Sequence, residues 1–297
     1  MGKKCMLCPR ECSARREDGH AGYCKMTGKG IRAARAALHF WEEPCISGTC
    51  GSGTIFFVGC NLRCVYCQNH EIASGRMGKE ISVERLSEIF FDLQKQGAAN
   101  INLVTPSHYA DQIAEAIRLA KSRGFSLPFV YNCGGYEKTE SLCLLDGLID
   151  IYLTDFKYMN PESAMRYSNA ANYPEVAKQA LKEMVRQQPE TLYTEDGMMK
   201  QGVIVRHLLL PGHRKEAEAI VEYVYRQYGN QVAVSLMSQY TPLTGLEDYP
   251  EINRKVTGRE YDRLVDFAVS LGVENGFIQE RESAGQCYIP SFYGEGI

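Results

Sequence analysis

Between residues 54 and 237, short apolar runs alternate with amphipathic helical stretches, and this limits the chain to very few architectures. "TIFFV" (54–58), "NINLV" (100–104), "PFVYN" (128–132), "IDIYLTDF" (149–156), "QGVIVRHLLL" (201–210) and "QVAVSLM" (231–237) each read as a strand. After the first, "SVERLSEIFFDLQKQG" sets Val83, Leu86, Ile89, Phe90 and Leu93 on one helical stripe. Ser82 is its N-cap and Gly97 its stop. After the second, Ile113, Ala116, Ile117 and Ala120 face inward from another helix. A short helix near 138–146 and a polar helical region over 161–188 follow, with Pro174 suited to a first helical position. Ala217, Ile220, Val221, Val224 and Tyr228 stripe a further helix. A last helix spans 258–271, before a short strand near "GFIQE". Six strands alternating with helices predict parallel βαβ units, either doubly wound or in a barrel or part-barrel. In both, chemistry gathers at the C-terminal strand ends.

The first 50 residues differ. They are rich in Cys, Gly and Arg, and show helical periodicity only near 30–40. Gly48, Gly51 and Gly53 mark a hinge, so the reading is a Cys-rich metal-binding segment over 1–50 and a main α/β domain over 51–297. No internal repeat is visible.

Cysteine is where composition matters. The chain has 12, nine of them before residue 70; the others are Cys133, Cys143 and Cys287. No run of about 18 apolar residues predicts a membrane span. "MGKKCMLCPRECSARRE" lacks the apolar core of a signal peptide. The expectation is a cytoplasmic protein, whose reduced thiols serve metals or clusters rather than disulfides. A net charge of -3 gives no indication of a nucleic-acid partner.

Cys60, Cys64 and Cys67 lie in "VGCNLRCVYCQNH", just past the first main-domain strand, with spacing C-x3-C-x2-C. A closed structural zinc site takes four ligands, so three thiols form either a zinc knuckle with a borrowed ligand or an open centre. Three thiolates hold three irons of a [4Fe–4S] cluster and leave the fourth iron for a small molecule. Tyr66 stands before the last cysteine. Near the N-terminus, Cys5, Cys8, Cys12 and Cys24 make a four-thiolate set for zinc or a second [4Fe–4S] cluster. Cys45 and Cys50 are possible substitutes there, and His20 a further candidate ligand. Cys133 and Cys287 read as buried small hydrophobes.

"CNLRCVYC" after a short strand resembles the cluster loop of the radical S-adenosylmethionine (SAM) superfamily. The resemblance implies a partial (β/α)6 barrel and a [4Fe–4S] cluster whose open iron binds SAM. It also implies reductive cleavage of SAM to methionine and a 5′-deoxyadenosyl radical that abstracts hydrogen. Over residues 53–297 the chain resembles pyruvate formate-lyase activating enzyme and an uncharacterised activating-enzyme-like subgroup. That likeness implies an electron donor such as flavodoxin or ferredoxin and a protein substrate activated as a glycyl radical. The alternatives are radical modification of a small molecule or peptide, or a non-catalytic zinc-binding module. Asp155 and Lys157 in "DIYLTDFKYM", Arg206 in "VRHLLLPG", Gln239 in "SQYTP" and Asn132 in "YNCGGY" match positions that reach SAM or the substrate in relatives. Where the superfamily often has Gly-Gly-Glu, this chain has "NLVTPSHY", which leaves Ser107, His108 and the backbone of Thr105–Pro106 to contact SAM.

Overall fold

The structure is a computed structural model describing residues 2, 4–28, 30–279, 290 and 292–297. Cys287 lies outside the described residues. The chain runs β1 (Ile31–His39), α1 (Pro44–Ser47), β2 (Ser52–Phe57), α2 (His70–Ala73), β3 (Lys79–Ile81), α3 (Val83–Lys95), β4 (Ile101–Val104) and α4 (Ala110–Ser122). It continues through β5 (Phe129–Cys133), α5 (Thr139–Cys143), β6 (Ile151–Asp155), α6 (Pro161–Ser168), α7 (Tyr173–Gln187) and β7 (Leu192–Tyr193). The last elements are β8 (Met199–Leu208), α8 (Arg214–Tyr228), β9 (Ala233–Met237), α9 (Gly258–Leu271) and β10 (Gly276–Ile278).

Strands β2, β4, β5, β6, β8, β9 and β10 are parallel neighbours in chain order. A doubly wound sheet would reverse that order at a switch point, so the sequential order marks a barrel-type winding. β10 and β3 lie at opposite ends of the strand order, and among the described residues the sheet does not close. This is the partial barrel expected from the sequence. Local signals explain its helices. Ser82 accepts the Arg85 N–H to start α3, and Thr257 and Glu260 form a capping box at α9.

The stretch near 30–40 is a strand rather than a helix. β1 runs antiparallel to β2, with a bulge between Ala33 and Arg35. The bulge lets Ala33, Ala34, Ala36 and Ala37 all be buried, which imitates a helical stripe in sequence. The first 50 residues therefore include a segment of irregular chain and a strand of the main sheet.

The barrel's inner face changes character along its axis, because alternate residues of a strand share a face. Val130, Ile151, Leu153, Ile204 and Ala233 form an apolar floor with Cys45 and Ile46 of α1. Two residues further along β5, β6, β8 and β9 come Asn132, Asp155, Arg206 and Ser235. The main apolar core lies between the sheet and the outer helices, where Leu86, Ile89, Phe90 and Leu93 of α3 and Ile113, Ala116, Ile117 and Ala120 of α4 are buried.

Candidate functional site: a three-thiol loop over a polar barrel mouth

The chain turns sharply after β2. Gly59 has φ 91, and a Cβ there would stand 2.6 Å from the Cys24 carbonyl oxygen, so only glycine fits. Arg63 has φ 55, which folds the loop back on its first cysteine. The N–H groups of Leu62 and Arg63 consequently lie 3.3 and 3.4 Å from Cys60 Sγ. Ser168 of α6 donates to Cys64 Sγ at 2.9 Å. Behind it, the Ser168 and Tyr158 hydroxyls are 2.7 Å apart, and Tyr158 and Tyr66 likewise 2.7 Å. A hydroxyl chain thus links Tyr66 to Cys64 beneath the loop.

Cys60, Cys64, Cys67 and Tyr66 line a cavity of about 260 Å³ with Thr105, Ser107, Asn132, Asp155, Lys157, Arg206 and Gln239. Most of the sequence-predicted residues therefore meet in one place. His108 does not line it. Its ring is buried against the loop's rear, with Nε2 2.7 Å from the Val58 carbonyl. Burial first, then the Arg16 charge, lowers its pKa to about 4, and the Val58 bond offsets only part of this. His108 is thus a neutral donor to Val58. Cys133 is buried as expected, although it also borders the cavity and its thiol donates to Thr154.

Charge in the cavity is organised as a chain of alternating signs. Lys157 Nζ meets Asp155 Oδ2 at 2.6 Å, Arg206 Nε meets Asp155 Oδ1 at 3.0 Å, and Arg206 meets Glu42 at 3.0 Å. All four side chains are under 20% exposed, so these are not solvent-screened surface pairs. Burial works against the Asp155 charge, but Lys157 and then Arg206 outweigh it and hold the carboxyl below its usual range. Asn132 bridges the same network, accepting from Arg206 at 2.6 Å and donating to Glu42 at 3.2 Å. Gln239 accepts from Gln279 at 3.2 Å at the cavity's far wall.

Sequence reasoning missed two acids. Glu42 arrives from the turn before α1, where "WEEPC" offers adjacent carboxylates before a helix-starting proline. It is fixed by Arg206, Asn132 and Asn102. Glu137 in "GGYEK" is buried beside Ser107, just past the end of β4. It receives the Ser107 hydroxyl at 2.5 Å and the Tyr131 hydroxyl at 3.1 Å. Ser107 has therefore spent its one proton, and offers the cavity lone pairs rather than a donor. The acid was hidden because it follows a different strand, β5.

The residues fit a cluster by the chemistry of the donors. Three thiols face one cavity, and backbone N–H groups aim at sulfur, as a thiolate requires. Without metal, burial and then the Cys60 and Cys64 sulfurs push the Cys67 thiol to about 12. A cationic centre would reverse that penalty. Among the described residues, no group of three or more His, Cys, Asp or Glu could hold a metal ion as the side chains stand. The fit rests on the shared cavity and the sulfur-directed donors. In the N-terminal segment the Cys12 and Cys24 sulfurs approach one point beside Gly22, and the Cys24 backbone packs against Gly59 of the loop. Cys45 sits in the apolar floor instead, while Cys50 and His20 are exposed.

A parallel part-barrel carrying three thiols at its first strand end defines a cluster-binding α/β protein. The radical SAM superfamily model matches residues 54–224, and the chain belongs to that family. Membership implies an enzyme that uses a [4Fe–4S] cluster and SAM. An uncharacterised protein, MJ0674, of Methanocaldococcus jannaschii is 30% identical over 283 residues, covering 92% of this chain and 76% of that one. Pyruvate formate-lyase-activating enzyme of Listeria monocytogenes is 25% identical over 178 residues, covering 57% of this chain and 66% of its own length. Streptococcus suis SuiB bound to S-adenosylmethionine superposes with a TM-score of 0.51 at 12% identity, covering 74% of this chain. The chain spans 48% of SuiB, and that likeness concerns the fold. Among the described residues no helix is long and apolar enough to cross a membrane.

Proposed function

We propose that the protein is an activating-type radical SAM oxidoreductase that installs a glycyl radical on a protein partner. The observation carrying this reading is its 25% identity to pyruvate formate-lyase-activating enzyme over 178 residues. Cys60, Cys64 and Cys67 would hold the cluster, and Tyr66, Ser107, Asn132, Asp155, Lys157, Arg206 and Gln239 would surround SAM. When bound, cluster and SAM supply a carbon radical that takes one hydrogen atom from the substrate. The protein's part is to orient and exclude water. Lys157 brings a cation beside the thiols, Ser107 presents an acceptor backed by Glu137, and Asp155 keeps both Lys157 and Arg206 fixed. The electron comes from a flavodoxin- or ferredoxin-type donor in the cytoplasm. The reading includes a second centre, zinc or a second [4Fe–4S] cluster, on Cys5, Cys8, Cys12 and Cys24.

The test is anaerobic reconstitution and reduction, with SAM and each co-encoded candidate partner. A persistent organic radical on the partner, seen by electron-spin resonance, supports the reading. SAM consumption with a modified small molecule or peptide and no partner radical replaces it with the other radical chemistry.

A further inference from the structure

The segment carrying the four N-terminal cysteines has almost nothing of its own to hold it. Residues 4–28 contain one three-residue 3-10 turn, Arg16–Asp18, and their buried apolar side chains are Cys8, Cys24 and Met26. Glu11, Ser13 and Lys25, each next to a cysteine, have positive φ of 40, 53 and 68. Such conformations are costly for residues with a Cβ and persist only where the surroundings impose them.

The geometry brings the thiols toward one point. A Cβ on Gly22 would stand 3.2 Å from Cys24 Sγ and 3.5 Å from Cys12 Sγ, so both sulfurs crowd one place. The Ala14 side chain borders the same point, and the Ala14 carbonyl accepts the Cys5 N–H at 2.9 Å, which ties the Cys5 backbone to it. Cys8, three residues further on, is buried.

The segment also grips the cluster loop. Arg10 donates through Nε to the Asn61 carbonyl at 2.8 Å and through Nη2 to the Ser168 carbonyl at 2.9 Å, and also to the Asn169 carbonyl. Asn61 is inside the loop, and Ser168 is the residue that donates to Cys64. Tyr23 lies between the Arg10 and Arg63 guanidinium groups, 4.0 and 4.2 Å from the ring centre. Arg16 donates to the His108 carbonyl at 2.8 Å, and the Cys24 carbonyl fills the space that Gly59 leaves.

We infer that Cys5, Cys8, Cys12 and Cys24 hold one four-thiolate metal centre, and that this centre is a clasp fixing the catalytic loop through Arg10, Tyr23 and the Cys24 backbone. The inference rests on the second-centre reading and goes beyond it. Zinc and a [4Fe–4S] cluster share the tetrathiolate chemistry. A metal supplies folding energy to a segment too small to have a core.

The test uses the full chain. A Cys60/Cys64/Cys67→Ala protein should retain one zinc, or iron with equal sulfide, and lose it when Cys5 and Cys12 are also replaced by Ala. No metal in the triple variant, or a disulfide among the four thiols, overturns the centre. With the loop cysteines intact, Cys5→Ala/Cys12→Ala should speed hydrogen exchange of the loop amides by roughly tenfold or more. Arg10→Ala should have the same effect while the N-terminal metal stays bound. Loop exchange within about twofold of the parent in both, with the metal present in Arg10→Ala, would leave the centre standing and overturn the clasp.

Discussion

The two cysteine regions touch, yet they are held by opposite means. The loop at Cys60–Cys67 follows a strand whose six residues are all buried, and a polar frame stands ready around it. The segment at Cys5–Cys24 has no such strand and leans on backbone strain, arginine hydrogen bonds and whatever its thiols bind. The contrast teaches that fold and metal divide the work differently. On the proposed assignment, the barrel positions the loop thiols before any cofactor binds, whereas the outer segment would owe its structure to its metal centre. Metal removal should therefore unfold the outer segment and leave the barrel's frame in place.

The largest effect expected within the frame comes from its charge network. Asp155→Asn leaves Lys157 without its carboxylate and Arg206 with Glu42 as its remaining ion-pair partner among the described residues. Removing one partner of a poorly solvated ion pair costs about 3 kcal/mol. The denaturant midpoint of the apo protein should fall accordingly, and SAM binding by the reconstituted protein should weaken as well. An unchanged midpoint would mean that the frame does not depend on this carboxylate.

Glu137 gives a pH signature specific to the barrel side. Burial raises its pKa from 4.5 to about 7, against hydrogen bonds from Ser107, Tyr131 and Cys133. An acid with a raised folded pKa favours the folded state when protonated. Its contribution is full below pH 4.5 and is lost as pH rises to about 7. Between pH 5 and 8 the parent should lose roughly 2–3 kcal/mol relative to Glu137→Gln. Urea titrations of both proteins across that range check it, and parallel curves would contradict the assignment.

The smallest effect concerns Ser168. With the proposed cluster on Cys64, this hydroxyl would stabilise the more negative, reduced state. Ser168→Ala should lower the reduction potential by roughly 40 mV, equivalent to about 1 kcal/mol for one electron. Potentiometric titration of the reconstituted variant measures it. A potential equal to or above the parent's would show that the hydroxyl does not serve the cluster.

Much of this was legible in sequence because it is local. Strand runs, the Ser82 cap and the cysteine spacing depend on neighbours a few residues apart. So did the polar strand ends at Asn132, Asp155 and Arg206, once the strands were placed. The β1 strand was not legible, since its bulge imitates a helical stripe and only pairing with β2 decides. Glu42 and Glu137 were missed because their partners lie far along the chain, on β8 for Glu42 and at Ser107 for Glu137. His108 looked like a pocket residue by position, but the turn at 107–109 directs its ring to Val58. The link from Arg10 to Asn61 and Ser168 spans most of the first 170 residues, and no local pattern announces it.

The central claim is that three thiols at the end of β2 form the reactive centre and that the N-terminal four do not. The direct measurement is 5′-deoxyadenosine production from SAM by anaerobically reconstituted, reduced protein, for the parent and for Cys64→Ala, with metal content determined on each sample. The account predicts product from the parent, none from Cys64→Ala, and retention of the N-terminal metal in both. Undiminished 5′-deoxyadenosine from Cys64→Ala would contradict it.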